Sequence, residues 1–151
     1  MLEITEIMRE IPAPIATLLV GLLSTYVVLY IRRRNASAAA AAKFRAALLD
    51  AFSGMYPIPA NWPSNVDFHL RKIFPAIQHA VTEFRPYVPW YFRRSYESAW
   101  FMCRLGPDAR EIDKQLYHQY MGFTSPSEPA MDPKVAFPAN VKRLLDFARE
   151  I

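Results

Sequence analysis

The chain of 151 residues is long enough for one compact domain with a core and too short for two of ordinary size. Its net charge of +4 is modest, and three of its 18 basic residues are the consecutive Arg32, Arg33 and Arg34, so the charge balance does not indicate nucleic-acid binding. The single cysteine, Cys103, excludes an internal disulfide and fits a reducing compartment.

An uncharged apolar run, IPAPIATLLVGLLSTYVVLYI, occupies residues 11–31. As an α-helix it spans about 30 Å, which is the thickness of the hydrocarbon core of a bilayer. Lipid offers no hydrogen-bond partner to the backbone, so a segment buried there must be helical. The sequence therefore predicts a single-pass transmembrane helix at 13–34, preceded by a short extracytoplasmic N-terminus at 1–12.

The charges on either side of the span predict its orientation. Arg9 is the only basic residue before the span, among three glutamates, whereas three consecutive arginines follow it. Because basic flanks stay in the cytoplasm, the C-terminal side is expected there and the N-terminus outside. A cleaved signal peptide is the main alternative, but such peptides carry their positive charge before the apolar run. The predicted membrane-interface residues are Tyr26, Tyr30, Arg32, Arg33 and Arg34.

Small residues recur every fourth position along the span, at Ala13, Thr17, Gly21 and Thr25. Such a stripe lets two membrane helices approach closely, which makes a homo-oligomer through the span one expectation. The alternative is that the stripe simply faces lipid, since small residues are common in membrane helices.

The remainder, 35–151, reads as a cytoplasmic all-α domain, because no alternating strand pattern is found. The alanine-rich stretch 36–53 favours helix, so the span either continues unbroken to about Ser53 or is interrupted at Asn35 or Ser37. Phe44, Leu48, Ala51 and Phe52 form an apolar stripe that is expected to pack on the domain.

About four further helices are predicted. The first runs from about 65, with Ser64 and Asp67 as a capping box and a kink or brief break at Pro75. Two more follow at about 90–104 and 108–121. A proline-rich segment at 124–139 is expected to be irregular, and the last helix is expected to begin near Asn140 as its N-cap.

The stretch PWYFRRSYESAWF at 89–101 mixes aromatic residues with arginines. On a helix, a core face is formed by Phe92, Tyr96, Ala99, Trp100 and Cys103. An opposite face holds Glu97 together with the candidate docking residues Trp90, Arg94, Phe101 and Arg104. Either neighbouring segments such as 124–139 cover that face, or it is a docking face for a partner protein or for anionic lipid headgroups.

No nucleic acid is expected as a ligand of that face, because two arginines are a weak electrostatic footprint. Arg93 and Glu97 are predicted to pair locally.

No residue is predicted to be catalytic, to bind a cofactor or to bind a metal. His69, His79 and His118 do not stand three or four positions apart, so they form no helical metal pair. His79 is expected to pair with Glu83 on the surface, and Cys103 is expected to be inert packing. No phosphate-binding or nucleophile motif occurs. An enzyme is therefore not the favoured interpretation.

The segments SGMYPIPANWP, FPAIQHAVTEFRPYVPWYFRR and REIDKQLYHQYM resemble a group of short, uncharacterised, membrane-anchored hypothetical proteins of proteobacteria. The resemblance covers roughly residues 43–123. It implies a bacterial inner-membrane setting and no particular activity, cofactor or catalytic residue.

The sequence thus favours a membrane-tethered, non-enzymatic interaction or scaffold protein at the cytoplasmic face, with a protein partner. Two alternatives remain. One is a small enzyme acting on a lipid or membrane-delivered substrate, with a pocket that collects His69, His118 or Glu111. The other is an accessory subunit of a membrane protein complex, with the span as its binding element.

Overall fold

The structure, a computed structural model, describes residues 12–106, 117–121 and 132–149. Within these ranges it is all-helical and has no β-strand. The α-helices are α1 Ala13–Ala51, α2 Val66–Phe84, α3 Arg93–Leu105 and α4 Pro133–Asp146. Short 3-10 helices lie at Arg85–Tyr87, Trp90–Phe92 and His118–Tyr120. The predicted fold class, an apolar N-terminal helix followed by a small helical domain, is confirmed. Most of the helix predicted at 108–121 lies outside the described residues.

The chain divides into two compact units, Met1–Ser37 and Ala38–Ile151. Helix α1 is unbroken at Asn35 and Ser37, because the alanines that follow are the strongest helix formers. Its apolar stretch has a mean hydropathy of 2.0, and none of it is buried against the rest of the described chain. By length and composition it can cross a membrane.

The core of the second unit begins on the last turns of α1. Ala41, Phe44, Leu48 and Phe52 are buried at the three- and four-residue spacing of one helix face. The Phe44 ring stacks on Phe84 of α2 with centroids 4.5 Å apart. The predicted stripe is therefore in the core, with Ala51 only half-buried. Beyond α1, a positive φ of 83° at Gly54 lets the chain turn.

Helix α2 is capped by Asn65, not by Ser64 as predicted. The Asn65 side chain accepts a hydrogen bond from the Phe68 N–H at 3.0 Å. The helix continues through Pro75 without a break, because the proline lies on the exposed side while the buried stripe continues past it. The buried residues of this stripe are Val66, Leu70, Ile77, Ala80, Val81 and Phe84.

Helix α4 begins seven residues before the predicted start at Asn140. Asp132 is its N-cap and accepts from the Lys134 N–H at 2.9 Å, and Pro133 occupies the first turn, where a missing N–H costs little. Burial of Phe137 compensates for the internal Pro138, so residues 133–139 are helical and not irregular as expected. The predicted apolar face is confirmed as buried: Val141, Leu144, Leu145 and Ala148.

Candidate functional site

Exposed aromatic side chains cluster in the connection between α2 and α3. Trp90, Tyr91 and Phe92 are 78%, 60% and 39% exposed. The Tyr91 ring lies edge-on to Trp90, with centroids 5.7 Å apart, and 4.7 Å from Phe92. We call residues 85–92 the aromatic turn. Phe92 was predicted to be in the core, but α3 begins only at Arg93, and the 3-10 geometry before it rotates Phe92 outward.

The aromatic turn is held in a defined shape by its own sequence. Pro86 and Pro89 cannot donate backbone hydrogen bonds, so α2 does not run on into α3. Between them Val88 is buried and anchors the turn in the core. The Arg93 side chain donates from Nε to the Val88 carbonyl oxygen at 3.2 Å. The exposed rings are therefore presented by a braced backbone.

The pair predicted between Arg93 and Glu97 does not form. The Glu97 carboxylate instead accepts from Arg85 Nη2 at 2.6 Å, which links the start of the turn to α3. Arg93 is the first residue of α3, and its side chain reaches back to the turn's carbonyl groups, away from the next helical turn.

The predicted docking face is divided into two parts. Trp90 and Arg94 are exposed, and the described part of the segment expected to cover this face, residues 132–139, does not bury Trp90. Residues 124–131 of that segment lie outside the described residues. Phe101 and Arg104 are partly buried about three helical turns away, with the Arg104 guanidinium carbon 5.9 Å from the Phe101 ring centroid. The helical spacing that grouped Trp90 with Phe101 fails because Trp90 precedes α3.

An open groove of about 500 Å³ lies between α3 and α4, next to the aromatic turn. Its polar lining is Arg94, Ser95, Ser98, Arg143 and Asp146, and its apolar lining is Ala99, Met102 and Phe147. The Asp146 carboxylate is already bound by Lys142 at 3.1 Å and Arg149 at 3.5 Å. Neither Arg94 nor Arg143 pairs with a carboxylate in the described part of the chain. We call this the arginine groove.

A buried cluster of polar groups connects the end of α3 to the 3-10 helix His118–Tyr120 and to α4. The Tyr120 hydroxyl donates to the Cys103 carbonyl oxygen at 3.1 Å and accepts from Asn140 Nδ2 at 2.9 Å. Asn140 was expected to be an N-cap, but its side chain instead donates a hydrogen bond between α4 and Tyr120. The Tyr117 hydroxyl is also buried, but it has no hydrogen-bond partner among the described residues. Burial raises the pKa values of both tyrosines.

Cys103 is fully buried on the core face of α3, as predicted. Burial raises the pKa of its thiol to about 12. The thiol therefore stays protonated at neutral pH, which makes it a packing group and a poor nucleophile.

The histidines do not assemble a site within the described ranges. His79 Nε2 lies 3.7 Å from Glu83 Oε2, which matches the predicted surface pair. Glu83 also accepts from Lys43 Nζ at 2.6 Å, and this hydrogen bond lowers the pKa of Glu83. His69 is half-buried on α2. Glu111 and the side chain of His118 lie outside the described residues. The described ranges hold no group of three or more His, Cys, Asp or Glu side chains that could bind a metal ion.

The predicted membrane-interface and pairing residues lie on α1. Tyr26, Tyr30 and the three arginines 32–34 are exposed, and the two tyrosine rings stack with centroids 6.5 Å apart. In the small-residue stripe, Thr25 Oγ1 donates to the Gly21 carbonyl oxygen at 2.9 Å, so its hydroxyl is satisfied within the helix. A Cβ at Gly21 would meet nothing within 4 Å. The side chain of Ala13 lies outside the described part.

Sequence reasoning missed Tyr91 and Arg143. The two prolines of the turn were a usable signal for Tyr91, since they argue against a regular helix around it. No local signal could have placed Arg143 in the same groove as Arg94, because the groove exists only where α3 and α4 pack.

No protein-family model, curated protein or solved structure matches the chain. The residues and their geometry are therefore the basis for the functional conclusion.

Proposed function

We propose that the chain is a membrane-tethered, non-enzymatic interaction or scaffold protein of a bacterial inner membrane. Helix α1 crosses the bilayer once, with the N-terminus outside and the helical domain in the cytoplasm. The observation that supports this most directly is the apolar stretch of α1, with a mean hydropathy of 2.0 and no buried share. The core helix of a soluble protein buries such a stretch, whereas a lipid-facing helix leaves it open.

The flanking residues support the proposed orientation. Arg32, Arg33 and Arg34 follow the apolar stretch directly, and basic flanks favour the cytoplasmic side. Tyr26 and Tyr30 lie within the last two turns before them, where amphipathic rings suit the boundary between lipid and water.

The exposed surface of the second unit supports a role in interaction. The aromatic turn presents exposed rings, and the arginine groove presents Arg94 and Arg143, which pair with no carboxylate in the described part of the chain. By contrast, the groups with strongly raised pKa values are buried in the core: Tyr96, Cys103, Tyr117 and Tyr120. A second copy of the chain, meeting the small-residue stripe of α1, is one partner that we propose.

Membrane extraction and topology reporters test the tether. After a carbonate wash the chain should stay in the membrane pellet and retain residues 13–34. A C-terminal fluorescent protein that matures only in the cytoplasm should fluoresce, and a C-terminal alkaline phosphatase, active only outside, should be silent. A soluble chain, a mature chain that begins after Arg34, or an active phosphatase fusion would contradict the proposal.

Affinity purification from detergent-solubilised membranes tests the interaction role. We expect a co-purifying protein or a second copy of the chain. A matched variant in which residues 13–31 are replaced by an unrelated apolar span separates the two binding elements. Recovery of the same partner with this variant assigns binding to the domain, and loss assigns it to α1. If the unmodified chain and the variant are both recovered as monomers without a co-purifying protein, the interaction role is refuted.

A further inference from the structure

We propose that the second unit docks on an anionic phospholipid surface, with the aromatic turn in the interfacial layer and the arginine groove on lipid phosphates. The inference rests on the proposed membrane tether only in that the tether supplies a nearby bilayer. The site itself lies wholly within the second unit.

The composition of the aromatic turn suits the boundary between lipid and water. Trp90 and Tyr91 combine a large apolar ring with a polar N–H or O–H, and side chains of this kind concentrate at membrane interfaces. With the adjacent Phe92 they form one exposed group of rings in mutual contact. Transfer of these rings from water to the membrane interface is favourable in free energy, because their apolar surface leaves water while their polar atoms stay hydrated.

The turn is also preorganised for insertion. Val88 is buried beneath it, and Arg93 braces its carbonyl groups. A loop that is already ordered loses little conformational freedom on binding, so more of the interaction free energy remains available.

The charge around the turn is complementary to an anionic surface. Residues 85–96 include three arginines and no acidic residue. The two carboxylates next to this surface are already paired: Glu97 with Arg85, and Asp146 in the groove with Lys142 and Arg149. Arg94 follows the turn directly and shares the groove with Arg143. A guanidinium group binds phosphate through two parallel hydrogen bonds, and Ser95 and Ser98 offer hydroxyl donors beside it. This combination favours a lipid surface over a protein partner.

Quenching of tryptophan fluorescence by lipids with brominated acyl chains tests the docking. The full chain is reconstituted in vesicles of phosphatidylglycerol or of phosphatidylcholine, and the Trp90 signal is the difference between the chain and Trp90→Phe. We expect strong quenching of Trp90 in phosphatidylglycerol and several-fold less in phosphatidylcholine. The control is Trp90→Phe with Phe68→Trp, because Phe68 is 68% exposed on α2. That indole should remain unquenched.

The groove is tested by Arg94→Ala with Arg143→Ala, against a matched control, Lys72→Ala with Lys134→Ala, which removes equal charge outside the groove. Each arginine near an anionic surface contributes on the order of fivefold in binding, so the groove variant should lower the docking equilibrium by about 25-fold. The control should change it much less, since charges beyond about 8 Å are screened at physiological salt.

Several results would overturn the inference: an unquenched Trp90, as expected for a protein-binding surface; equal quenching in both lipids; or equal effects of the groove and control variants. A higher salt concentration repeats the electrostatic test on the unmodified chain without a substitution. It is expected to release Trp90 from the lipid surface and thus to reduce the quenching of its fluorescence. Circular dichroism confirms that each variant is folded. Resistance of the same vesicles to carbonate extraction reports separately on the tether, so the two proposals fail independently.

Discussion

Tyr120 and Tyr117 offer a matched pair of substitutions, because both hydroxyls are buried and, among the described residues, only that of Tyr120 is hydrogen-bonded. Tyr120→Phe removes a bond to the Cys103 carbonyl and one from Asn140. Each such bond contributes about 1 kcal/mol net, so the free energy of unfolding should fall by about 2 kcal/mol. The Cys103 carbonyl keeps a second donor, Gln119 Nε2 at 3.1 Å, which limits the loss.

Tyr117→Phe removes an equally buried hydroxyl for which the described part of the chain offers no hydrogen-bond partner. Burial of an unpaired polar group costs free energy, so this substitution should be neutral or should stabilise the fold by up to about 1 kcal/mol. Both variants keep the ring, and therefore the packing of the core is unchanged.

Thermal unfolding in one detergent, followed by circular dichroism, measures both effects. For a unit of this size, a change of 1 kcal/mol shifts Tm by about 4 °C, so Tyr120→Phe should lower Tm by about 8 °C and Tyr117→Phe should leave it equal or higher. Equal losses from the two substitutions would refute the assignment of the hydrogen bonds. A larger loss from Tyr117→Phe would do the same.

Three further predictions follow from the core and the surface. Phe44→Ala should cost about 3–5 kcal/mol in chemical denaturation, whereas Leu49→Ala, at a 45% exposed position on the same helix, should cost far less. Cys103 should resist alkylation at pH 8 in the folded chain and react on unfolding, as followed by mass spectrometry; rapid labelling of the native chain would contradict its burial. Lys43 lowers the pKa of Glu83 in the folded chain, so this carboxylate adds stability above its ordinary pKa of 4.5, and that stability is lost as the pH falls through the lower folded pKa. Glu83→Gln should therefore make the unfolding midpoint depend less on pH in that window. An unchanged dependence on pH would count against the pair of Lys43 and Glu83.

Apolar periodicity was sufficient to predict much of the core, and prolines were the main source of error. The stripes of α2 and of the C-terminal half of α4 were identified because a 3.6-residue period survives in the sequence. The start of α4 was missed because Pro133 and Pro138 were interpreted as breakers. A proline in the first turn is compatible with a helix, and the burial of Phe137, which offsets Pro138, is a tertiary effect.

The candidate site was predicted in part. The residue types of the exposed face were identified, and Trp90 and Arg94 are accessible as the docking interpretation requires. Their arrangement was not, because a regular helix was assumed through residues that form a 3-10 turn. The pairing of Arg85 with Glu97 spans the aromatic turn, and the groove that Arg94 and Arg143 both line lies between α3 and α4, so local helical spacing carries no information about either arrangement.

The last turns of α1 have a practical consequence for anyone who wishes to produce the domain without its anchor. Composition suggests a cut in the proline-rich stretch after Ser53, where the long helix has ended. A fragment begun there would lack Phe44, Leu48 and Phe52 and would expose the rings that pack against them, so it should aggregate on expression. A fragment begun at Ala38 retains all three and removes the apolar stretch.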